Sequence, residues 1–166
     1  GKLNMFKLEF GIVHRDCLVN ELSREMPQVR LVCPGGFILD PKTNDGITAE
    51  EVIAVEGSSQ EEVQKVTKYL ENHRGVVEVE ILEQNPQSTF IRFLTCTRPE
   101  TDYCSEAVRK NQCFSIGTEI QQGGIEQWEV CCYDRVQAEQ LIEDLKEMGD
   151  LKYHRIYETS WSNMLG

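Results

Sequence analysis

Residues 123–149 read GGIEQWEVCCYDRVQAEQLIEDLKEMG, and the reading of this stretch decides the fold. Gly123-Gly124 is the strongest hairpin signal in the chain, because two-residue hairpin turns need positive φ at their central positions. Trp128, Val130 and Cys132 follow at every second position, the period of a strand with one buried face. Asp134 with Gln137 forms a capping box, whose side chains satisfy backbone donors that a helix start leaves unpaired. The helix it opens carries Ala138, Leu141, Ile142, Leu145 and Met148 on one stripe and stops at Gly149. A closing strand is expected through Leu151, Tyr153 and Tyr157.

Working outward, Thr89–Thr95 reads as a strand and Tyr103–Lys110 as a short helix, and Phe114, Ile116 and Ile120 alternate toward the glycine turn. The first half repeats the order. Phe6, Leu8, Phe10 and Ile12 alternate as a strand, and Asp16 is placed to cap a helix carrying Leu18, Leu22 and Met26, stopped by Pro27. Val29–Cys33 is a strand, Pro34–Gly46 a Gly/Pro/Asp-rich connection, and Val52–Val55 a further strand. Ser58 with Glu61 reads as a capping box for a helix burying Val63, Val66 and Leu70, which ends by Gly75, before a strand through Val77, Val79 and Ile81. The expected fold class is therefore α+β: tandem ferredoxin-like (βαββαβ, ACT-like) modules with antiparallel sheets. Residues 1–86 would form the first module and 87–160 the second, with 161–166 starting a linker to a further C-terminal domain.

The charge excludes one class of function for this segment. The formal net charge is −11, spread evenly, whereas nucleic-acid binders carry a basic face that neutralises phosphates. No run of roughly 20 apolar residues is present to span a membrane, and no signal-peptide block opens the chain. A cytoplasmic location is expected. Gly1 stands where a Met would open a reading frame, so the chain reads as a piece of a longer protein.

Seven cysteines are an odd number, so full pairing is impossible, and without a secretion signal a disulfide framework is a poor reading. Cys131 and Cys132 are adjacent on a strand and point to opposite faces. His14-Arg15-Asp16-Cys17 sits at a strand-to-helix corner, where His14 and Cys17 could share a metal; the blander alternative is a surface histidine, a cap and a packed thiol. Cys104 holds a comparable place at the start of the second half's first helix. Trp128, Phe114 and Tyr153 are expected near one another, as core or as a pocket lining. Ligand-binding or sensing candidates are thus His14, Cys17, Cys104 and Trp128, with His14 and Cys17 the metal candidates. None of the three histidines sits in a nucleophile motif, and Pro34-Gly35-Gly36 lacks the Lys and helix of a phosphate loop. No enzyme is expected, and no cofactor is named.

From Phe93 to Ile156 the chain resembles the N-terminal region of archaeal bacterio-opsin-activator-type helix-turn-helix transcription regulators. The resemblance rests on Thr101-Asp102-Tyr103-Cys104, on the turn and strand Gly123 to Val130, and on the closing Tyr153-His154-Arg155-Ile156. His14-Arg15-Asp16-Cys17, followed by Leu22-Ser23-Arg24-Glu25, also resembles that family's first strand and helix. The resemblance implies a sensory domain without catalytic residues, with DNA bound by a C-terminal helix-turn-helix that this chain lacks. A homodimer is a further expectation. The competing readings are an ACT-like amino-acid-binding regulatory module and a cysteine-based metal or redox sensor.

Overall fold

The computed structural model describes residues 4–39, 46–96 and 103–165. The chain runs β1 (Asn4–His14), α1 (Leu18–Glu25), β2 (Arg30–Ile38), β3 (Ala49–Glu56), α2 (Gln60–Asn72), β4 (Val76–Gln84) and β5 (Ser88–Thr95). It continues α3 (Cys104–Lys110), β6 (Phe114–Ser115), β7 (Glu119–Gln122), β8 (Ile125–Cys132), α4 (Arg135–Met148), β9 (Gly149–Ser160) and a 3-10 turn, Trp161–Leu165. Gly1, residues 40–45 of the expected Pro34–Gly46 connection, Thr101, Asp102 and Gly166 lie outside the described residues.

The tandem ferredoxin-like arrangement is overturned by the strand pairing. The described residues form nine strands and four α-helices, and the strand that opens each half of the sequence pairs with elements of the other half. β1 lies between β8 and β9, with Phe6 opposite both Cys132 and Glu158. β5 lies between β3 and β4, with Ile91 opposite both Ile53 and Ile81. All of these pairings are antiparallel. Hydrophobic alternation marks a segment as a strand and says which face is buried, but it does not choose the neighbour.

The chain accordingly divides into two compact units interleaved in sequence: Gly1–Cys17, Asp102–Glu119 and Ile125–Gly166 form one, Leu18–Thr101 and Ile120–Gly124 the other. In the first, Leu8, Phe10 and Ile12 of β1 and Val130 and Cys132 of β8 join one buried cluster with Cys104, Ala107 and Val108 of α3. The α4 stripe Ala138, Leu141, Ile142, Leu145 and Met148 completes that cluster. Full burial of a leucine such as Leu141 contributes about 2 kcal/mol. The box of Asp134 and Gln137 starts α4 as expected.

In the second unit the neighbours run β4-β5-β3-β2. Leu31, Ile53, Val55, Ile91 and Phe93 are buried on its strands, and Val63, Val66 and Leu70 on α2. The capping box of α2 is Ser59 with Glu62, one residue beyond the expected pair. A fully buried polar group secures the glycine turn to α1. The Asn20 side-chain amide donates to Gln121 Oε1 (3.1 Å) and to the Gly124 carbonyl (2.9 Å), while Ser23 Oγ accepts from Gly124 N (3.1 Å). Gly123 and Gly124 both have positive φ, 62° and 82°.

Two local expectations change, and the start of the expected linker takes a regular form. Asp16 has φ 56° and forms the left-handed corner before α1, two residues short of its first turn. The alternation at Phe114, Ile116 and Ile120 is interrupted by Gly117, φ 71°, so β6 is two residues long. Residues 161–165, expected as linker, form the 3-10 turn, with Trp161 packed on the Tyr133 ring at 5.9 Å. Among the described residues no helix is long and apolar enough to cross a membrane.

Candidate functional site

The register of β1 and β8 builds the site. Phe10 lies opposite Trp128 and Ile12 opposite Glu126, and paired residues share a face of the sheet. With the two-residue period, Phe10, Ile12 and His14 of β1 and Glu126, Trp128 and Val130 of β8 fall on the face that carries the buried cluster. A carboxylate on that face must be paired, because an unpartnered buried charge costs several kcal/mol. Glu126, 3% exposed, has His14 Nδ1 3.1 Å from Oε2, while Trp128 Nε1 donates to Oε1 at 2.7 Å. The Trp128 ring is held by stacking on Phe10, with centroids 6.3 Å apart and planes 6° from parallel.

Cys104, the first residue of α3, closes the group. Its Sγ is 3.8 Å from His14 Nδ1, and its thiol hydrogen-bonds Glu126. Burial pushes the Cys104 thiol well above the ordinary cysteine range, and the charges of Glu126, Glu119 and Cys17 add to the effect. One donor atom each from His14, Cys104 and Glu126 lies within 4.8 Å of the others, and all three residues are buried. An imidazole, a thiol and a carboxylate converging from β1, α3 and β8 can hold a cation or exchange protons among themselves.

Three of the four sensing candidates thus meet here: His14, Cys104 and Trp128. Cys17 is half-buried and acts electrostatically on Cys104, but it lies outside this close donor group. The close donor group sets His14 with Cys104 and Glu126, and Cys17 is not a member of it. Glu126, the residue joining the cluster, was not among the candidates. Its signal was present in the sequence: it stands two residues before Trp128, on the face the alternation marks as buried. The expected trio of Trp128, Phe114 and Tyr153 does not form as a set. Phe114 packs on Tyr133, and Tyr153 lies over Gly11 of β1.

All seven cysteines are thiols. On the other face of β8, Cys131 contacts the Met5 sulfur at 3.6 Å, and burial followed by the Cys113 charge pushes its thiol up to about 11. Cys132 is also pushed up, by its hydrogen bond with Cys113 (Sγ–Sγ 3.0 Å) and by burial. A folded-state pKa above the unfolded value favours the protonated fold. This stability is present in full below about pH 9 and is lost as pH rises through about 11. Urea midpoints measured at neutral pH and at about pH 11 are expected to show this loss, and Cys131→Ala is expected to make it smaller; an unchanged loss in that variant would place it elsewhere.

Residues 7–151 match the profile of a family described as HVO_2525_N, N-terminal. No curated protein and no solved structure matches the chain.

Proposed function

The chain belongs to the HVO_2525_N family of N-terminal domains, and from that premise we propose that it is the sensory, regulatory domain of an archaeal DNA-binding transcription regulator of the bacterio-opsin-activator type. DNA is then bound by a helix-turn-helix outside this chain, and the input is read at the His14–Cys104–Glu126 cluster. The observation that carries the reading is the buried cluster itself. Replacing such a buried polar group by apolar residues is often neutral or stabilising, so packing alone does not require it. It joins the end of β1, the start of α3 and the start of β8, so a change in its protonation or occupancy alters how three elements meet. A sensor needs that property: two arrangements with different affinity for the signal, and therefore a coupling free energy to a second site.

The acidic charge of −11 supports the same division of labour, since a sensory unit has no need to touch phosphate. The test is operator affinity of the longer protein that carries this domain, measured by fluorescence anisotropy. Glu126→Gln is expected to change that affinity at least about fivefold, while Glu139→Gln, on the exposed side of α4, is expected to leave it unchanged. Equal affinity in both variants and the unsubstituted protein would overturn the reading.

A further inference from the structure

We infer that His14, Cys104 and Glu126 form a binding site for one divalent transition-metal ion of the zinc class, through His14 Nδ1, Cys104 Sγ and a Glu126 carboxylate oxygen. The inference deepens the sensory reading by naming a ligand for the same site, and it rests on that reading only for the ion's role as a signal.

The donor set selects the metal. Thiolate and imidazole favour zinc, cobalt, nickel and copper over magnesium and calcium, which take hard oxygen ligands. Separation agrees as well. Around a tetrahedral zinc, with bonds of about 2.0–2.3 Å, neighbouring donors stand about 3.3–3.6 Å apart. Here Nδ1 is 3.1 Å from Glu126 Oε2 and 3.8 Å from Cys104 Sγ, and all three donor atoms lie within 4.8 Å of one another. Both imidazole separations lie within a few tenths of an ångström of that spacing.

Charge agrees too. A thiolate, a neutral imidazole and a carboxylate together cancel the charge of a divalent ion, which a site this deeply buried demands. The outer contacts are those that orient metal ligands elsewhere. Trp128 Nε1 holds Glu126 Oε1 at 2.7 Å and leaves Oε2 turned to His14, the kind of outer hydrogen bond that fixes a ligating carboxylate. Three protein ligands leave a fourth position of the tetrahedron for water or another donor, as zinc sites that exchange ligands do.

The experiment is a titration of this chain with cobalt(II), followed by absorption spectroscopy and elemental analysis. One cobalt per chain is expected, with a sulfur-to-cobalt charge-transfer band and the visible bands of a tetrahedral ion. Cys104→Ser is expected to lose the charge-transfer band, and Glu126→Gln to weaken binding at least about tenfold. No stoichiometric binding, or a charge-transfer band that survives in folded Cys104→Ser, overturns the assignment. X-ray absorption at the zinc edge of the unsubstituted, zinc-loaded chain decides the matter without a variant. A shell with one sulfur supports the site, and a shell with none or with two or more overturns it. Either failure leaves the sensory reading to be judged by operator affinity alone, and an unresponsive operator complex leaves the metal site to be judged by these spectra.

Discussion

Replacing Glu126 with alanine is expected to cost the fold about 3–5 kcal/mol, the penalty for removing one partner of a buried pair. The loss has two parts. Trp128 Nε1–H and His14 Nδ1 both face the vanished carboxylate, at 2.7 and 3.1 Å; Trp128 is half-buried, and His14, 3% exposed, loses its partner out of reach of bulk water. Glu126→Gln is expected to cost less, because its amide oxygen still accepts from Trp128. Urea unfolding separates the two: the alanine midpoint falls furthest, at constant denaturant slope. A cost below about 1 kcal/mol for the alanine variant would mean that the carboxylate holds nothing together.

Gly149→Ala is expected to be as damaging for a different reason. Gly149 is the first residue of β9 and sits opposite His14 in the β1 register. A Cβ there would lie 2.1 Å from the Val13 carbonyl oxygen and 3.2 Å from the His14 Cα. Those are backbone atoms of a central strand, so no side-chain rotation relieves the clash; overpacking of this kind costs about 3 kcal/mol or more. Gly11→Ala makes the instructive comparison. Its Cβ would meet side-chain atoms alone, the outer ring atoms of Tyr153 and Cγ2 of Ile125; Tyr153 is 45% exposed, side chains yield more readily than backbone, and a cost of about 1 kcal/mol is expected. Thermal unfolding ranks the pair, and the His14 ring resonance is expected to move in Gly149→Ala and to stay in Gly11→Ala. Equal melting temperatures would show that β1 yields easily at its end.

Element type was legible wherever local chemistry dictates it. The Asp134–Gln137 box, the α4 stripe and the double-glycine turn are each specified by a few neighbouring residues, and each forms as read. Partner choice was not legible. Phe6 to Ile12 alternates equally well beside β3 and β4 or beside β8 and β9, because the period of two fixes the buried face and nothing more. That ambiguity let each half be read as a closed module, whereas β1 and β5 pair with the opposite half's strands. Positive-φ residues account for smaller differences: Asp16 reads as a cap in sequence but turns the chain at φ 56°.

The site was half legible for a related reason. His14, Cys104 and Trp128 stood out by residue type, yet nothing local says that a residue at the end of β1 meets one at the start of α3. In IEQWEV the apolar members carry the alternation, and no motif marks Glu126. The acidic residue sharing their face was the informative one, since a carboxylate on a buried face must have partners. Cys17 is closer to His14 in sequence than Cys104, and sequence proximity alone made it the metal candidate. The chain reverses at Asp16, and the close donor group that forms is His14, Cys104 and Glu126.

The most direct test of the account is thermal unfolding of this chain with and without zinc at about a hundred times its dissociation constant, for the unsubstituted protein and Cys104→Ser. Ligand that binds only the folded state contributes about 2.7 kcal/mol under those conditions, a rise of about 5–10 °C for a chain of this length. The account predicts that rise in the unsubstituted protein and its absence in Cys104→Ser. An equal rise in both, or none in either, would contradict it.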